Sequence, residues 1–417
     1  MNFTRREFVK GGVAAFTWGF AAPEIFGDIA LAQGSGNRNL VVLYLSGGND
    51  SLNTVIPYTD ANYYSRRPTI AVPAANVLQI GTAGTPVGLH PRMTGIKSIF
   101  DQGRCAIFNR TGYPNLSRSH FFGLDVWSSA NTTSPQTTGW LGRYLDTLPS
   151  PVDPLIGWSA TRETPRTMLS RTVGVPAIPS PQQYAFSSPN SGAEAQNGRT
   201  AAVQIASHVP VDRPHLAFVN GTVQRALATL DRVATVASYQ PTVTYPNTGL
   251  GSALRAVAGA MVRGIGTKVF WVQTGGFDTH ASQGAAGDGA YATLMQTIDQ
   301  AVFAFYQDCL NQGLLGQTTI LQFSEFARRV DENGSQGTDH GEGGVMMAIG
   351  GAVKGGLYGT APTLQKNGNP LLSNSGNDVK WDIDFRRIYA QILDKWLGAD
   401  SAAILNGDFR QPGLDFL

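Results

Sequence analysis

Residues 318–344 have the sequence TTILQFSEFARRVDENGSQGTDHGEGG, and this stretch decides the fold. It begins with a β-branched and apolar run, 318–323, which predicts a buried strand. Glu325 lies just beyond the run, and a polar, glycine-rich loop then carries Asp339 and His340. In open α/β sheets, ligands bind in the loops beyond the carboxyl ends of the strands. Because carboxylates and imidazoles are common metal ligands, the stretch predicts a strand that leads into a metal site.

The same order of strand, acidic loop and helix recurs elsewhere in the chain. Apolar runs at 39–45 and 268–273 are each followed by a glycine-rich loop. The first loop carries Asp50, and the second carries Asp278 and His280. Continuous apolar runs are typical of central parallel strands. The sequence therefore predicts an α/β fold, a three-layer sandwich with a mostly parallel central sheet, whose acidic loops gather along one edge.

A serine–histidine pair lies at the start of another predicted helix. A strand-like run, 105–108, leads through a loop into a helix that extends to Trp127 and begins near Ser119 and His120. A helix N-terminus presents free N–H groups and the positive end of its dipole, so it can hold an anionic group. A serine at that position can act as a nucleophile when a metal activates it. We therefore predict Ser119 and His120 as the catalytic residues.

The domain organisation follows from length and patterning. The chain has 417 residues, enough for one large α/β domain or two smaller ones. Pro, Ser, Thr and Gly are frequent from 131 to 247, where only 218–239 has a firm helical pattern. We interpret 131–247 as an irregular insertion or cap within a single domain that spans 33–417.

The N-terminus has the pattern of an export signal. Thr4-Arg5-Arg6-Glu7-Phe8 is a twin-arginine motif, and a weakly apolar stretch and the small-x-small site at 30–32 follow it. The alternative is an ordinary basic N-terminus ahead of a core helix. The apolar stretch is too short and too polar to span a membrane. We predict a signal peptide at 1–32, export by the twin-arginine machinery, and a periplasmic or secreted mature protein.

Composition and cysteine content narrow the classes of partner and the redox chemistry. The formal net charge is +2, and no basic stripe is present, which excludes a nucleic-acid-binding surface of the usual kind. An oxidising compartment would permit a disulfide between Cys105 and Cys309. However, Cys105 lies in a strand-like run and Cys309 on the apolar face of a predicted helix, 289–312. We therefore favour two buried free thiols over a disulfide.

The candidate ligands come from separate segments of the chain. Alone, Asp50 would serve as a helix N-cap and Asp278 as a turn former. Glu325 would be the partner of Arg328 or Arg329. Together, the two histidines and several carboxylates suit Zn²⁺, Mn²⁺ or Ca²⁺. The set predicts a divalent metal site with the ligands Asp50, Asp278, His280, Glu325, Asp339 and His340.

Within residues 318–344, the position of each residue relative to the end of the strand predicts its role. Glu325 is the best placed ligand because it lies at the strand end, and His340 reaches back into the site from the loop. Asp339 orients His340, as carboxylates commonly do for metal-bound histidines. His90, in Gly-Leu-His-Pro, is either a support of the site or a packed histidine at a helix start.

A series of motifs in order along the chain carries a family resemblance. The motifs are LSGGNDSLNTVIP at 45–57, GLHP at 88–91, SRSHFFGLDVW at 117–127, GGFDTH at 275–280, FSEFARR at 323–329, GTDHGEGG at 337–344 and DFRRIYAQILDKWLG at 384–398. They resemble the exported family catalogued as domain of unknown function 1501, which is grouped with the alkaline phosphatase and sulfatase superfamily. The resemblance covers nearly the whole mature chain and implies an alkaline-phosphatase-like fold and a metal-dependent ester hydrolase.

The wider superfamily resemblance implies a role for each matching residue. Ser119, or alternatively Ser117, is similar to the nucleophile, and Asp50 to the Asp ligand of the first strand. The other implied ligands are Asp278 and His280 as a pair, Glu325 at a strand end, and His340 with Asp339 beside it. The chain departs from the pattern in its Asp-x-His spacing at 278–280 and in lacking the x-Pro-x-Arg signature of sulfatase nucleophiles. Formylglycine chemistry is therefore disfavoured, and the resemblance leaves open two metals, one or none.

Three functional hypotheses follow. The first is an exported metal-dependent hydrolase of phosphate- or sulfate-type esters on a small molecule or glycan. The second is a non-catalytic binding or assembly protein of the envelope or of a polysaccharide, with a degenerate site. The third is a hydrolase that uses Ser119 and His120 without metal, which is disfavoured because adjacent residues at a helix start rarely point at each other.

Overall fold

The computed structural model describes residues 38–82, 84–133, 136–150, 152–208 and 212–417. The predicted signal peptide, 1–32, lies outside these residues. The strands are β1 (Asn39–Leu45), β2 (Val55–Ile56), β3 (Leu78–Gln79), β4 (Gly88–Leu89), β5 (Cys105–Gly112), β6 (Gly157–Ser159), β7 (Val269–Thr274), β8 (Thr318–Phe323), β9 (Ala327–Arg328), β10 (His340–Gly341), β11 (Gly344–Gly350), β12 (Gly356–Tyr358), β13 (Leu372–Ser373), β14 (Asp378–Val379) and β15 (Ile383–Asp384).

The helices alternate with the long strands, as the sequence predicts. A π-helical segment, Ile392–Leu397, continues the tenth helix, and Gly398 closes it in the left-handed conformation. Asp384 caps that helix by accepting a hydrogen bond from the Arg386 N–H. The α-helices are α1 (Ser51–Thr54), α2 (Ala61–Arg66), α3 (Thr94–Asp101), α4 (His120–Ser129), α5 (Trp140–Asp146), α6 (Gly192–Ser207), α7 (Pro214–Ala237), α8 (Gly249–Val262), α9 (Ala290–Asn311), α10 (Phe385–Gln391) and α11 (Ser401–Leu405).

One central sheet organises the described part of the chain. Its strands follow the order β12-β5-β11-β8-β1-β7-β6, and β15 pairs with β5 beside this path. β1 is parallel to both β7 and β8, whereas β11 runs antiparallel to β5 and β8. The prediction of a mostly parallel sheet is therefore confirmed.

Two hydrophobic cores lie on opposite faces of the sheet. Side chains alternate along a strand, so Val41 and Leu43 of β1 enter one core and Leu40 and Val42 enter the other. Helices α3, α8 and α9 cover the first face, and α4, α5 and α10 cover the second. The predicted three-layer sandwich is confirmed, because a strand buried on both faces needs helices on each side.

The segment from 131 to 247 contributes to this architecture in two ways. Its short strand β6 extends the sheet by pairing in parallel with β7. Helices α6 and α7 pack against each other, and α7 also contacts α8. The helix at 192–207 was not predicted, because its sequence mixes small and polar residues without a clear apolar stripe.

The two cysteines are buried free thiols, as the sequence analysis favoured. Burial raises the pKa of the Cys105 thiol to about 12. Both side chains belong to the core on the face of the sheet that α9 covers. They therefore act as small apolar core residues.

Candidate metal centre

The carboxyl ends of the parallel strands bring the predicted loops together. Leu45 of β1 is paired with Thr274 of β7, and Tyr44 with Phe323 of β8, so three strand ends are level. Asp50 follows β1, Asp278 and His280 follow β7, and Glu325 follows β8. A hairpin of β9 and β10 then returns the chain to the same edge, where His340 is paired with Arg328.

Three side chains converge at this edge. Among the described residues, His120, Asp278 and His340 each offer one ligand atom, and these atoms lie within 4.8 Å of one another. His340 Nε2 is 3.1 Å from Asp278 Oδ1, and His120 Nε2 is 3.4 Å from Asp278 Oδ2. Ligand atoms bound to one tetrahedral zinc are about 3.3 Å apart, because each lies about 2.0–2.1 Å from the ion. The distances from His340 and His120 to the two oxygens of Asp278 are close to this value.

A third imidazole joins the group. His280 Nε2 lies 2.9 Å from His340 Nε2 and 3.1 Å from Asp278 Oδ1. Two imidazole nitrogens at this distance repel each other unless one of them carries a proton or both lone pairs point at a shared cation. The side chains of Asp278 and His280 are 48% and 46% exposed, so the cluster is open to solvent on one side. An open side is typical of metal sites that bind a substrate.

Each imidazole is held through its other nitrogen. His120 Nδ1 lies 2.8 Å from Glu325 Oε1, and His340 Nδ1 lies 2.8 Å from the Arg118 carbonyl oxygen. His280 Nδ1 lies 3.4 Å from an oxygen of Asp339. An oxygen acceptor at Nδ1 fixes the proton there and leaves the Nε2 lone pair free for a metal. All three rings therefore present Nε2 towards the carboxylate of Asp278.

Glu325 is fully buried behind the ring of His120. Its Oε1 accepts the Gly47 N–H at 2.9 Å as well as the Nδ1–H of His120, and its Oε2 accepts the Ser324 hydroxyl at 2.9 Å. Glu325 was predicted as a direct ligand, but both of its carboxylate oxygens accept hydrogen bonds from protein donors. Asp339 has the orienting position that was predicted for it, but beside His280 rather than His340.

The charge state of the cluster suits a cation. Burial acts to raise the pKa of Asp278, but the hydrogen bond from Arg328 and the adjacent ring of His340 outweigh it and lower the pKa to about 2. Burial lowers the pKa of His340 below its ordinary value of 6.5, against the opposing effects of the Arg118 carbonyl and Asp278. At neutral pH, Asp278 is therefore an anion and His340 is neutral, as metal ligation requires.

The sequence analysis missed the role of Arg328. This fully buried guanidinium donates to Asp278 Oδ1 at 2.5 Å and to carbonyl oxygens of Gly47, Gly48, Phe277 and Thr338. It was proposed as a partner of Glu325, but it joins the loops after β1 and β7 instead. The sequence signal is slight, because only burial distinguishes Arg328 from its neighbour Arg329.

Asp50 forms a buried ion pair with Arg67. Its carboxylate is fully buried, and Oδ2 accepts from Arg67 Nη1 at 2.7 Å and from Gln283 Nε2 at 2.6 Å. Asp50 occupies the N-cap position of α1, yet its side chain makes no capping hydrogen bond. The residue is not one of those whose ligand atoms converge in the described part of the chain.

The predicted serine is next to the cluster in sequence. Ser119 is exposed, caps α4, and accepts a hydrogen bond from the Phe122 N–H at 3.5 Å. Ser117 accepts from the Ser119 N–H at 3.2 Å. His120, predicted as catalytic, instead offers a candidate ligand atom.

His90 is buried and accepts a hydrogen bond from the Arg92 N–H. Burial is the chief cause that lowers the pKa of His90 to about 4, which fits the packed-histidine interpretation.

The orientation of His120 yields a prediction. Glu325→Gln keeps the shape of the side chain but removes the charge that holds the Nδ1–H of His120. We expect zinc affinity to fall by about 10–100-fold, as for other carboxylates that orient metal-bound histidines. Glu332→Gln is the control, because within the described residues that carboxylate accepts only from the Thr69 and Ile70 N–H groups. Equal zinc affinity of the two variants in a chelator competition would contradict the prediction.

Fold and cluster together define an α/β protein with a candidate histidine–carboxylate metal centre at the carboxyl edge of its sheet. The chain belongs to the family described as protein of unknown function (DUF1501), whose model matches residues 105–406. No curated protein matches the sequence. None of the helices in the described residues is both long and apolar enough to cross a bilayer.

Solved structures with similarity to the chain share little sequence with it. A protein in the alkaline phosphatase superfamily from Vibrio parahaemolyticus is 8% identical, with a TM-score of 0.36 over 99% of this chain and 79% of that one. The PsFucS1 sulfatase from Pseudoalteromonas sp. is 12% identical, with a TM-score of 0.34 over 98% and 74%. Ps i-CgsB in complex with k-i-k-neocarrahexaose is 8% identical, with a TM-score of 0.34 over 89% and 72%.

Proposed function

We propose that the protein is a metal-dependent hydrolase of phosphate- or sulfate-type esters on a small molecule or glycan. The observation that carries the proposal is the convergence of His120, Asp278 and His340, with His280 beside them, at a solvent-open strand edge. A divalent cation bound there would supply Lewis-acid stabilisation of the charge that develops on the ester. The motifs that resemble the alkaline phosphatase and sulfatase superfamily support the same class of reaction.

The donor set favours zinc over the other two candidate metals. Three imidazole nitrogens and one carboxylate are ligands that zinc commonly takes in catalytic sites. Calcium binds oxygen ligands, and manganese prefers sites richer in carboxylates and water. The neutral state of His340 at pH 7 is also the state that zinc requires.

The remaining residues have roles that their positions support. Glu325 and the Arg118 carbonyl orient the rings of His120 and His340. Ser119, exposed and one residue before His120, is the proposed nucleophile, and Ser117 is the alternative. Arg328 keeps Asp278 ionised and holds the loops in register.

Metal content and turnover test the proposal. Elemental analysis of natively produced protein is expected to find zinc, and the metal-stripped protein is expected to regain turnover of an aryl phosphate, a phosphodiester or an aryl sulfate when zinc is added. Ser119→Ala should then abolish turnover while metal binding persists, and loss of turnover in Ser117→Ala instead would identify Ser117 as the nucleophile. Bound metal without turnover of any of these esters would instead favour the binding or assembly protein. Native protein without metal would overturn both the centre and the hydrolase.

Metal retention should depend on pH through the histidines. Protons compete with the metal for imidazole nitrogens, so affinity falls as the pH falls. The pKa of Asp278 is about 2, so this carboxylate stays ionised throughout the release. We expect release to begin below pH 6.5, the ordinary value for histidine, and to be complete well above pH 2. Dialysis at stepped pH with metal analysis checks this, and retention of metal until the carboxylate titrates would contradict it.

We also propose export to the periplasm or medium by the twin-arginine machinery. The support is the Arg5-Arg6 pair and the cleavage pattern that ends at Ala32. Replacing both arginines with lysine is expected to retain the uncleaved chain in the cytoplasm, because the machinery reads the arginine pair. Arg38→Lys, beyond the predicted cleavage site, is the control. Cell fractionation and the intact mass of the protein report the result; normal export of the double variant would count against this route.

A further inference from the structure

A buried amide joins the two loops that carry the candidate ligands. The Gln283 side chain is completely buried. Its Oε1 accepts the hydroxyl of Thr279 at 2.8 Å and that of Thr338 at 2.9 Å. Thr279 lies between Asp278 and His280, and Thr338 is two residues before His340. One amide oxygen therefore ties together the two segments that supply these ligand atoms.

Backbone hydrogen bonds reinforce this connection. The Thr338 N–H donates to the Thr279 carbonyl at 3.0 Å, and the Gln283 N–H donates to the Gln336 carbonyl at 2.9 Å. Arg328 also donates to the Thr338 carbonyl. The two loops are thus joined at their bases, while the imidazoles they carry remain partly exposed.

A buried ion pair sets the orientation of the amide. Gln283 Nε2 donates to Asp50 Oδ2, which also accepts from Arg67 Nη1. A carboxylate can only accept, so the amide nitrogen must face Asp50 and the amide oxygen must face the two threonines. Arg67 is in turn anchored to the carbonyl oxygens of Arg329 and Val330. The Asp50–Arg67 pair therefore decides which way Gln283 points.

We propose that Gln283 is a positioning residue of the metal centre and that the buried Asp50 sets the orientation of its amide. Its amide sets the spacing between the loop of Asp278 and His280 and the loop of His340. This inference rests on the proposed metal site.

Zinc affinity of the metal-free protein tests the proposal in variants that remove the connection. Gln283→Leu deletes all three side-chain hydrogen bonds, and Thr279→Val and Thr338→Val each delete one with little change of shape. We expect zinc affinity to fall by about 10–100-fold in Gln283→Leu, the range known for residues that orient ligands from behind, and by less in each threonine variant. Gln322→Leu is the matched control, because this buried glutamine lies in β8 away from both loops.

A double-variant cycle separates positioning from general destabilisation. Thr279→Val should cost affinity in the wild-type background but little more in the Gln283→Leu background, since the shared hydrogen bond is already lost. The absorption spectrum of bound Co²⁺ should change in Gln283→Leu and not in Gln322→Leu, because it reports ligand geometry. Circular dichroism confirms folding, and if Gln283→Leu does not fold, the two threonine variants decide.

The outcomes distinguish this inference from the proposed function. Wild-type zinc affinity and an unchanged Co²⁺ spectrum in the folded Gln283 and threonine variants would overturn the positioning role and leave the metal centre intact. Zinc binding without ester turnover in the wild type would overturn the hydrolase and leave the positioning role intact. A wild-type protein that binds neither ion would overturn both.

Discussion

His340→Ala and Asp278→Asn are each expected to reduce zinc affinity by at least about 100-fold, beyond the usual loss for an orienting residue. His340→Ala removes a candidate ligand atom, and Asp278→Asn removes the charge of the carboxylate. Oxygen acceptors at Nδ1 orient His120 and His280 in both variants. Asp278→Asn also removes the only anion whose two oxygens face all three imidazoles in the described structure. Ester turnover should fall with metal content.

The control for this experiment is another histidine. His208→Ala changes an exposed residue after α6 that lies outside the cluster, so zinc affinity should stay at the wild-type value. Chelator competition and elemental analysis measure the difference. Stoichiometric, tightly bound zinc in both His340→Ala and Asp278→Asn would show that the metal, if present, is held elsewhere.

Arg67→Met is expected to lower the free energy of unfolding by about 3–5 kcal/mol, the usual cost of leaving one charge of a buried pair without its partner. The side chains of Arg67 and Asp50 are both 0% exposed. Methionine replaces much of the volume, but it leaves the Asp50 carboxylate with Gln283 as its remaining side-chain donor. It also removes donors from the Asn53 side chain and from two carbonyl oxygens.

An exposed ion pair provides the comparison. Arg92 and Asp288 form a salt bridge whose side chains are 46% and 77% exposed. Arg92→Met should change the free energy of unfolding by no more than about 1 kcal/mol, because solvent screens such pairs. Denaturant titrations of both metal-free variants measure the two values. If Arg67→Met lowers the free energy of unfolding by less than about 1 kcal/mol, the buried pair has little net effect on stability.

The secondary structure and the edge of the sheet that carries the site could be predicted from local pattern. The apolar runs at 39–45, 268–273 and 318–323 were each found as strands within one residue of their predicted bounds. Long buried strands have a strong signal because both faces must be apolar. The helix at 192–207 was missed because its packing against α7 needs no continuous apolar stripe.

Sequence position predicted which residues lie at this edge of the sheet, but not how several of them contact one another. Asp278, His280 and His340 meet at the predicted edge, and Asp339 stands beside a ring as an orienting carboxylate. Glu325, which was predicted as a ligand, lies behind the ring of His120, and His120, which was predicted as catalytic, faces the cluster. Sequence position places a residue at a strand end without giving the direction of its side chain.

The sequence by itself determined the order of strands and helices, the family, and the edge of the sheet at which acids and histidines collect. Periodicity and strand-end position are properties of the local sequence, so they can be recognised without knowing which distant residues are in contact. Only the tertiary structure decided which of those residues face one another. That choice depends on competition among distant groups: Arg67 and Gln283 occupy the carboxylate of Asp50, Arg328 pairs with Asp278, and Glu325 holds His120.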